Sequence, residues 1–172
     1  MDLILWRHAE AFDAEAGQND LERALTPRGE KQARRVAAWL NRQLPASTRV
    51  LASPAVRAQQ TAAALERKAK TEPALAPGAG VEALLQAARW PDARMPVLVV
   101  GHQPTLGIAA AWLLAQQTQV WSVRKGAVWW LRGREREGEL QVVLQAVLAP
   151  EMLCARPGWP LSLSSRPACR RR

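Results

Sequence analysis

The sequence predicts an α/β fold: a three-layer α/β/α sandwich around a mostly parallel mixed sheet, with a C-terminal antiparallel hairpin. Three observations carry this. Apolar runs at residues 3–6 and 97–100 read as strands buried on both faces, as parallel strands are, and Arg49-Val50-Leu51-Ala52 reads as a further short strand. Between them lie stretches whose apolar residues recur at helical spacing, as crossover helices require. Beyond residue 126, two apolar runs at 127–131 and 140–148 flank a charged, glycine-containing stretch, the pattern of a hairpin.

Each element has a local reason. After the first strand, residues 9–25 read as a polar connection containing Gly17, Asn19 and Asp20. Thr26-Pro27 is a helix cap followed by proline in the first turn, and Ala33, Val36, Ala37, Leu40 and Leu44 mark the buried stripe up to Pro45. Ser53-Pro54 repeats that start after the second strand and predicts a helix to about Lys68, with Arg57 in its first turn. Residues 69–80 read as a loop, 81–90 as a short helix and 91–96 as a turn. Residues 97–100 are the clearest strand, and Thr105 is expected to cap a helix to about Gln116. The hairpin is expected to turn through residues 132–138. Trp129 and Trp130, adjacent in a strand, must point to opposite faces.

At 172 residues with 48 % hydrophobic composition, the chain suits one well-filled core. We assign residues 1–150 to that domain and residues 151–172, which lack any useful period and end in three arginines, to a flexible basic tail. The net charge of +9 comes from 24 basic and 15 acidic residues, and five of the basic ones fall in the last seventeen positions. The body is therefore only modestly positive. Eight Trp are scattered, with one Phe and no Tyr, which does not resemble a base-stacking platform, so no nucleic-acid partner is expected. No stretch has the length to cross a bilayer, the start lacks a basic leader, and Cys154 and Cys169 have neither metal-ligand nor disulfide spacing. These features lead us to expect a cytoplasmic protein without a membrane partner.

The chemistry centres on two histidines, the only ones in the chain. His8 follows the first apolar run and Arg7; His102 follows the third. Ligands of open α/β sheets bind at the carboxyl ends of the strands, so His8, His102, Arg7 and Arg57 are expected in one zone. Two guanidiniums match phosphate oxygens, and a helix start after Ser53 would add amides facing the same anion. Between them a neutral histidine can attack phosphorus, and the second can stabilise the transferring group. A zinc site would need Glu10, Asp13 or a cysteine beside the histidines, and the arginines would repel the cation, so no metal is expected. Glycine motifs for nucleotides and serine elbows are missing from the sequence, and no cofactor is expected.

The stretches Leu5-Trp6-Arg7-His8-Ala9-Glu10, Leu25-Thr26-Pro27-Arg28-Gly29, Ser53-Pro54-x-x-Arg57-Ala58-x-Gln60-Thr61-Ala62 and Val100-Gly101-His102-Gln103-Pro104 together resemble the histidine phosphatase, or phosphoglycerate-mutase-like, superfamily. Within it, the chain is similar to the short bacterial phosphohistidine phosphatases of the SixA group. The resemblance spans residues 3 to about 148. It implies that His8 is the nucleophile that becomes phosphorylated, that Arg7 and Arg57 grip the phosphoryl group, and that His102 completes the pocket. Ser53 would either add a hydroxyl contact to the phosphate or only cap its helix. Ala9 replaces the usual glycine, a mild departure.

Larger members of that superfamily carry a long insertion that supplies a general acid and a lid. Here only residues 69–96 are available, with Glu72, Glu82 and Asp92 as their acids. An open site without a dedicated acid suits imidazole as leaving group better than an alkoxide, which needs a proton. The expected substrate is therefore a phosphohistidine-containing protein such as a phosphotransfer domain, placing the protein in signal transduction. Two alternatives stay open: a small-molecule phosphomonoesterase with Glu82 or Glu72 as acid, and a non-catalytic phosphoprotein-binding module.

Overall fold

The structure, a computed structural model, describes residues 1–153. A six-stranded sheet has the order β3-β2-β4-β1-β5-β6. Its strands are β1 (Asp2–Arg7), β2 (Arg49–Ala52), β3 (Ala69–Thr71), β4 (Val97–Gly101), β5 (Val128–Arg136) and β6 (Glu139–Leu148). β3, β2, β4 and β1 run parallel, whereas β5 and β6 add antiparallel strands beyond β1. The helices are α1 (Pro27–Gln43), α2 (Val56–Ala63), α3 (Val81–Ala88) and α4 (Thr105–Ala115).

Strand periodicity divides the core into two halves. Ile4 and Trp6 of β1, Leu98 and Val100 of β4 and Val50 and Ala52 of β2 meet Val36, Ala37 and Leu40 of α1 on one face. Leu3, Leu5, Val97, Val99 and Leu51 face the other way, towards Leu84 of α3 and Leu106, Ala109 and Ala110 of α4. Every residue of β4 is buried, as expected of a strand covered on both sides. The sandwich reading is therefore met. None of the helices among the described residues is long and apolar enough to cross a membrane.

Several local expectations are corrected. The loop assigned to residues 69–80 holds the edge strand β3 and a 3-10 turn at Pro73–Leu75. Two of the three β3 residues, Lys70 and Thr71, are exposed, so no apolar pattern announces the strand. α2 starts at Val56 with Ala55 at its N-cap and stops at Ala63; the left-handed backbone of Glu66 (φ 55°) belongs to the turn that follows. Thr105 is the first residue of α4, not its cap, and its hydroxyl donates to the Ala79 carbonyl at 2.7 Å.

The hairpin turns only at Glu137-Gly138, both with positive φ, the backbone of a two-residue turn matched to strand twist. Residues 132–136 instead continue β5, and Arg132 donates two hydrogen bonds to the Asp2 carboxylate, at 2.6 and 2.8 Å. Trp130 meets Trp39 edge-on at 6.3 Å, and Trp129 meets Trp121 at 6.0 Å. At the C-terminal end, the 3-10 turn Pro150–Met152 follows β6, and Leu153 packs against the α1 face of the core. The rest of the expected tail, residues 154–172, lies outside the described residues.

Candidate active site

Register brings the four key residues to one end of the sheet. Arg7 pairs with Gly101 across β1 and β4, and Ala52 pairs with Val100 across β2 and β4. The next residue along each strand is thus His8, His102 or Ser53. The pairing continues one step past the strands, with His8 N–H donating to the Gly101 carbonyl at 3.1 Å and Ser53 N–H to Val100 at 3.0 Å. The two imidazoles face each other with centroids 5.1 Å apart. Arg57, in the first turn of α2, is 3 % exposed, and His8 and His102 are also buried.

His8 Nδ1 lies 2.8 Å from the Ala9 carbonyl oxygen. A carbonyl only accepts, so Nδ1 carries the proton and Nε2 keeps its lone pair. Burial, opposed by the Ala9 hydrogen bond and reinforced by the Arg57 and Arg7 charges, lowers the His8 pKa to about 4. The ring is therefore neutral and nucleophilic at pH 7.

His102 Nε2 lies 2.7 Å from Ser53 Oγ, which also accepts from the Ala55 N–H at 3.2 Å. Ser53 has no exposed surface. One lone pair serves Ala55, and the hydroxyl hydrogen has no other acceptor among the described contacts, so donation to His102 Nε2, with the ring proton on Nδ1, is the arrangement that satisfies it. That nitrogen is buried without a partner. Burial, and then the His8 and Arg57 neighbours, lower the His102 pKa to about 3. Ser53, expected as a helix cap or phosphate contact, is here engaged with His102 and the Ala55 amide.

Arg7 Nη1 donates to the Val123 carbonyl at 2.7 Å, while its Nε is buried without a partner. Arg57 shows the same pattern: its outer nitrogens donate to Asp20, and its Nε is left over. A buried donor without an acceptor carries a desolvation cost of about 1–3 kcal/mol. Three such donors, Arg7 Nε, Arg57 Nε and His102 Nδ1, belong to residues around His8, whose ring lies 5.1 Å from that of His102 and whose pKa both arginine charges lower.

Sequence reasoning missed two supporting residues. Thr61, fully buried, accepts from the Ala9 N–H at 3.1 Å and donates to the Arg57 carbonyl at 2.7 Å, tying the turn after β1 to α2. Asp20, seen only as part of a polar connection, pairs with Arg57; its placement opposite Arg57 has no local signature. Thr26 does cap α1, accepting from the Gly29 N–H at 2.9 Å.

The alternative acids fare differently. Glu72 accepts a hydrogen bond from Lys70 at 3.0 Å, which holds its carboxyl below the usual range and makes it a poor proton donor. Glu82 is exposed in the first turn of α3. Two grooves elsewhere, of about 570 and 520 Å³, are lined by other residues, among them Trp90 and Trp112 in one and Trp39 and Trp130 in the other.

The fold and the placement of these residues can be set beside known proteins. The family profile described as Histidine phosphatase superfamily (branch 1) matches residues 3–79. A solved chain described as a putative phosphohistidine phosphatase SixA from Nakamurella multipartitia is 29 % identical with TM-score 0.73, covering 87 % of this chain and 95 % of that one. The protein histidine phosphatase SixA complexed with tungstate is 28 % identical with TM-score 0.70, covering 89 % and 99 %. The uncharacterized protein Rv1276c of Mycobacterium tuberculosis is 38 % identical over 109 residues, which span 60 % of this chain and 66 % of that relative. The chain belongs to the histidine phosphatase superfamily, with SixA structures among its neighbours.

Proposed function

We propose that this protein is a cytoplasmic phosphatase that hydrolyses phosphohistidine on a partner protein, of the phosphotransfer-domain kind, and so acts in signal transduction. The observation that carries this reading is the set of unpartnered buried donors, Arg7 Nε, Arg57 Nε and His102 Nδ1, gathered about a histidine whose Nε2 lone pair is free. In the first step His8 Nε2 attacks phosphorus, the P–N bond of the substrate breaks, and the departing imidazole takes a proton from solvent. In the second, water attacks the phosphoryl group on His8, the new P–N bond breaks, and inorganic phosphate leaves with the water's oxygen. The arginines and His102 hold the equatorial oxygens throughout, so positioning and charge supply most of the rate.

An imidazole leaving group is protonated readily near neutral pH, which suits a site where Glu72 is held ionised by Lys70. Between β3 and β4 the chain forms only a 3-10 turn, the eight-residue α3 and a turn, too little for a bulky lid over a small substrate. A substrate panel of phosphohistidine protein, free phosphohistidine and phosphomonoesters tests the reading. Preference for the protein and an acid-labile phosphate trapped on His8 are expected, with turnover abolished in His8→Ala. Turnover surviving that substitution refutes the covalent route, and preference for a phosphomonoester refutes the substrate. A trapped phosphate also excludes a binding module without catalysis.

A further inference from the structure

Arg57 is the most enclosed charged group of the site, with 3 % of its surface exposed. Its side chain enters from α2, yet what holds its outer end comes from the connection after β1. Nη2 donates to the Asp20 carboxylate at 2.7 Å, and Nη1 donates to the main-chain carbonyl of the same residue at 2.5 Å. The second carboxylate oxygen of Asp20 accepts from Arg23 Nε at 2.8 Å, and Arg23 Nη1 reaches the Phe12 carbonyl at 2.8 Å. Asn19 caps the 3-10 turn Asp20–Glu22 by accepting from Leu21 N–H at 3.1 Å. Asp20 is thus fixed from both sides.

A guanidinium is planar, so gripping its outer fork from two atoms of one residue also sets the direction of Nε. We infer that Asp20 is a positioning residue for phosphoryl transfer: it anchors Arg57 by the outer nitrogens and leaves Nε aimed at the phosphoryl oxygens. The inference rests on the phosphoryl-binding role given above to Arg57. A competing description makes the Asp20 carboxylate an internal anion that occupies the place of the phosphoryl group until substrate displaces it. The geometry favours anchoring for two reasons. One of the two acceptors is a main-chain carbonyl, which side-chain rotation does not release. The other is that Nε, the donor an internal anion would cover, has no partner. Arg57 and Arg23 hold the Asp20 carboxyl below its usual range, so it stays ionised at working pH.

Asp20→Asn and Asp20→Ala in the full chain separate these roles. For the phosphohistidine protein, kcat is expected to fall about tenfold or more, as loss of a transition-state contact does, with KM nearly unchanged. Inhibition by orthovanadate, which adopts the five-coordinate geometry, should weaken with kcat, while inhibition by orthophosphate stays the same. Tighter orthophosphate binding with kcat retained establishes the internal anion and overturns the proposal, as do unchanged kcat and vanadate inhibition. Should the variants not fold, nitrogen NMR of the wild type with and without orthovanadate decides: separate Arg57 Nη signals that persist when vanadate binds support the anchor, and signals that average or shift away on binding establish displacement of Asp20 and overturn it. Wild-type protein that neither turns over nor binds vanadate sinks the proposed function itself, a result distinct from failure of the Asp20 variants alone.

Discussion

Ser53→Ala removes a hydroxyl from a residue with no exposed surface and strands two groups, the Ala55 N–H and His102 Nε2. Each buried group left unpaired costs roughly 1–3 kcal/mol, and water entering the vacated space recovers part of it, so about 2 kcal/mol is a fair net figure. For a chain of this size that is a fall in Tm of roughly 4–8 °C. The consequence for catalysis is separate. Without the hydroxyl nothing fixes the His102 proton on Nδ1, and the donor facing the phosphoryl group is present only part of the time. Full loss of a transition-state donor costs about 10²–10³ in kcat, so partial loss is expected near tenfold.

The assay is long-range nitrogen–proton NMR of the imidazoles, simplified because the chain has two histidines. In the wild type both rings carry the proton on Nδ1. In Ser53→Ala the His102 pattern should shift towards Nε2–H while that of His8 stays. A folded variant with unchanged kcat and an unchanged His102 pattern refutes the reasoning.

Two other outcomes follow from the geometry. With His8 lowered to about 4, the acid limb of kcat/KM should fall near pH 4 rather than near 6.5, the value for a free imidazole; a limb at 6.5 in a pH–rate profile contradicts the buried neutral nucleophile. The same shifts govern stability. Both histidines have folded pKa values, about 4 and about 3, below the unfolded value, so the unfolded chain binds more protons as pH falls below about 6.5. Their contribution is complete above that pH and is lost on acidification to about pH 3, at up to about 1.4 kcal/mol per pH unit for each ring; denaturant melts over pH 3–7 measure it. Gly29→Ala places a Cβ 1.9 Å from the Glu10 carbonyl oxygen, whose backbone also holds Thr26 N–H at 3.0 Å. Thermal melts should show a loss of about 1–3 kcal/mol or a failure to fold, as overpacking against backbone gives.

The legible parts of the chain were those where local pattern and burial agree. β1 and β4 are continuous apolar runs because both faces are covered, and α1 declares itself through Thr26-Pro27 and a buried stripe from Ala33 to Leu40. Where polar residues form structure through distant partners, the pattern misleads. β3 exists because Ala69, Lys70 and Thr71 pair with Val50, Leu51 and Ala52, not because of its composition. Residues 132–136 look like a loop but are a strand, since Arg132 pairs with Asp2 across 130 residues and Gly133 makes room for Trp90. Ser53-Pro54 looked like a cap, yet the hydroxyl serves His102 from the adjoining strand.

By itself the sequence determined the α/β class, the buried strands and the residue types of the site, because strand and helix periods and strand-end placement are local properties of the chain. Tertiary structure decided which protons those residues hold. Each imidazole tautomer depends on an acceptor or donor brought up by the fold, Ala9 for His8 and Ser53 for His102. The aim of Arg57 depends on Asp20, thirty-seven residues away. Hydrogen-bond direction and desolvation arise only when distant segments meet, and no spacing along the chain encodes them.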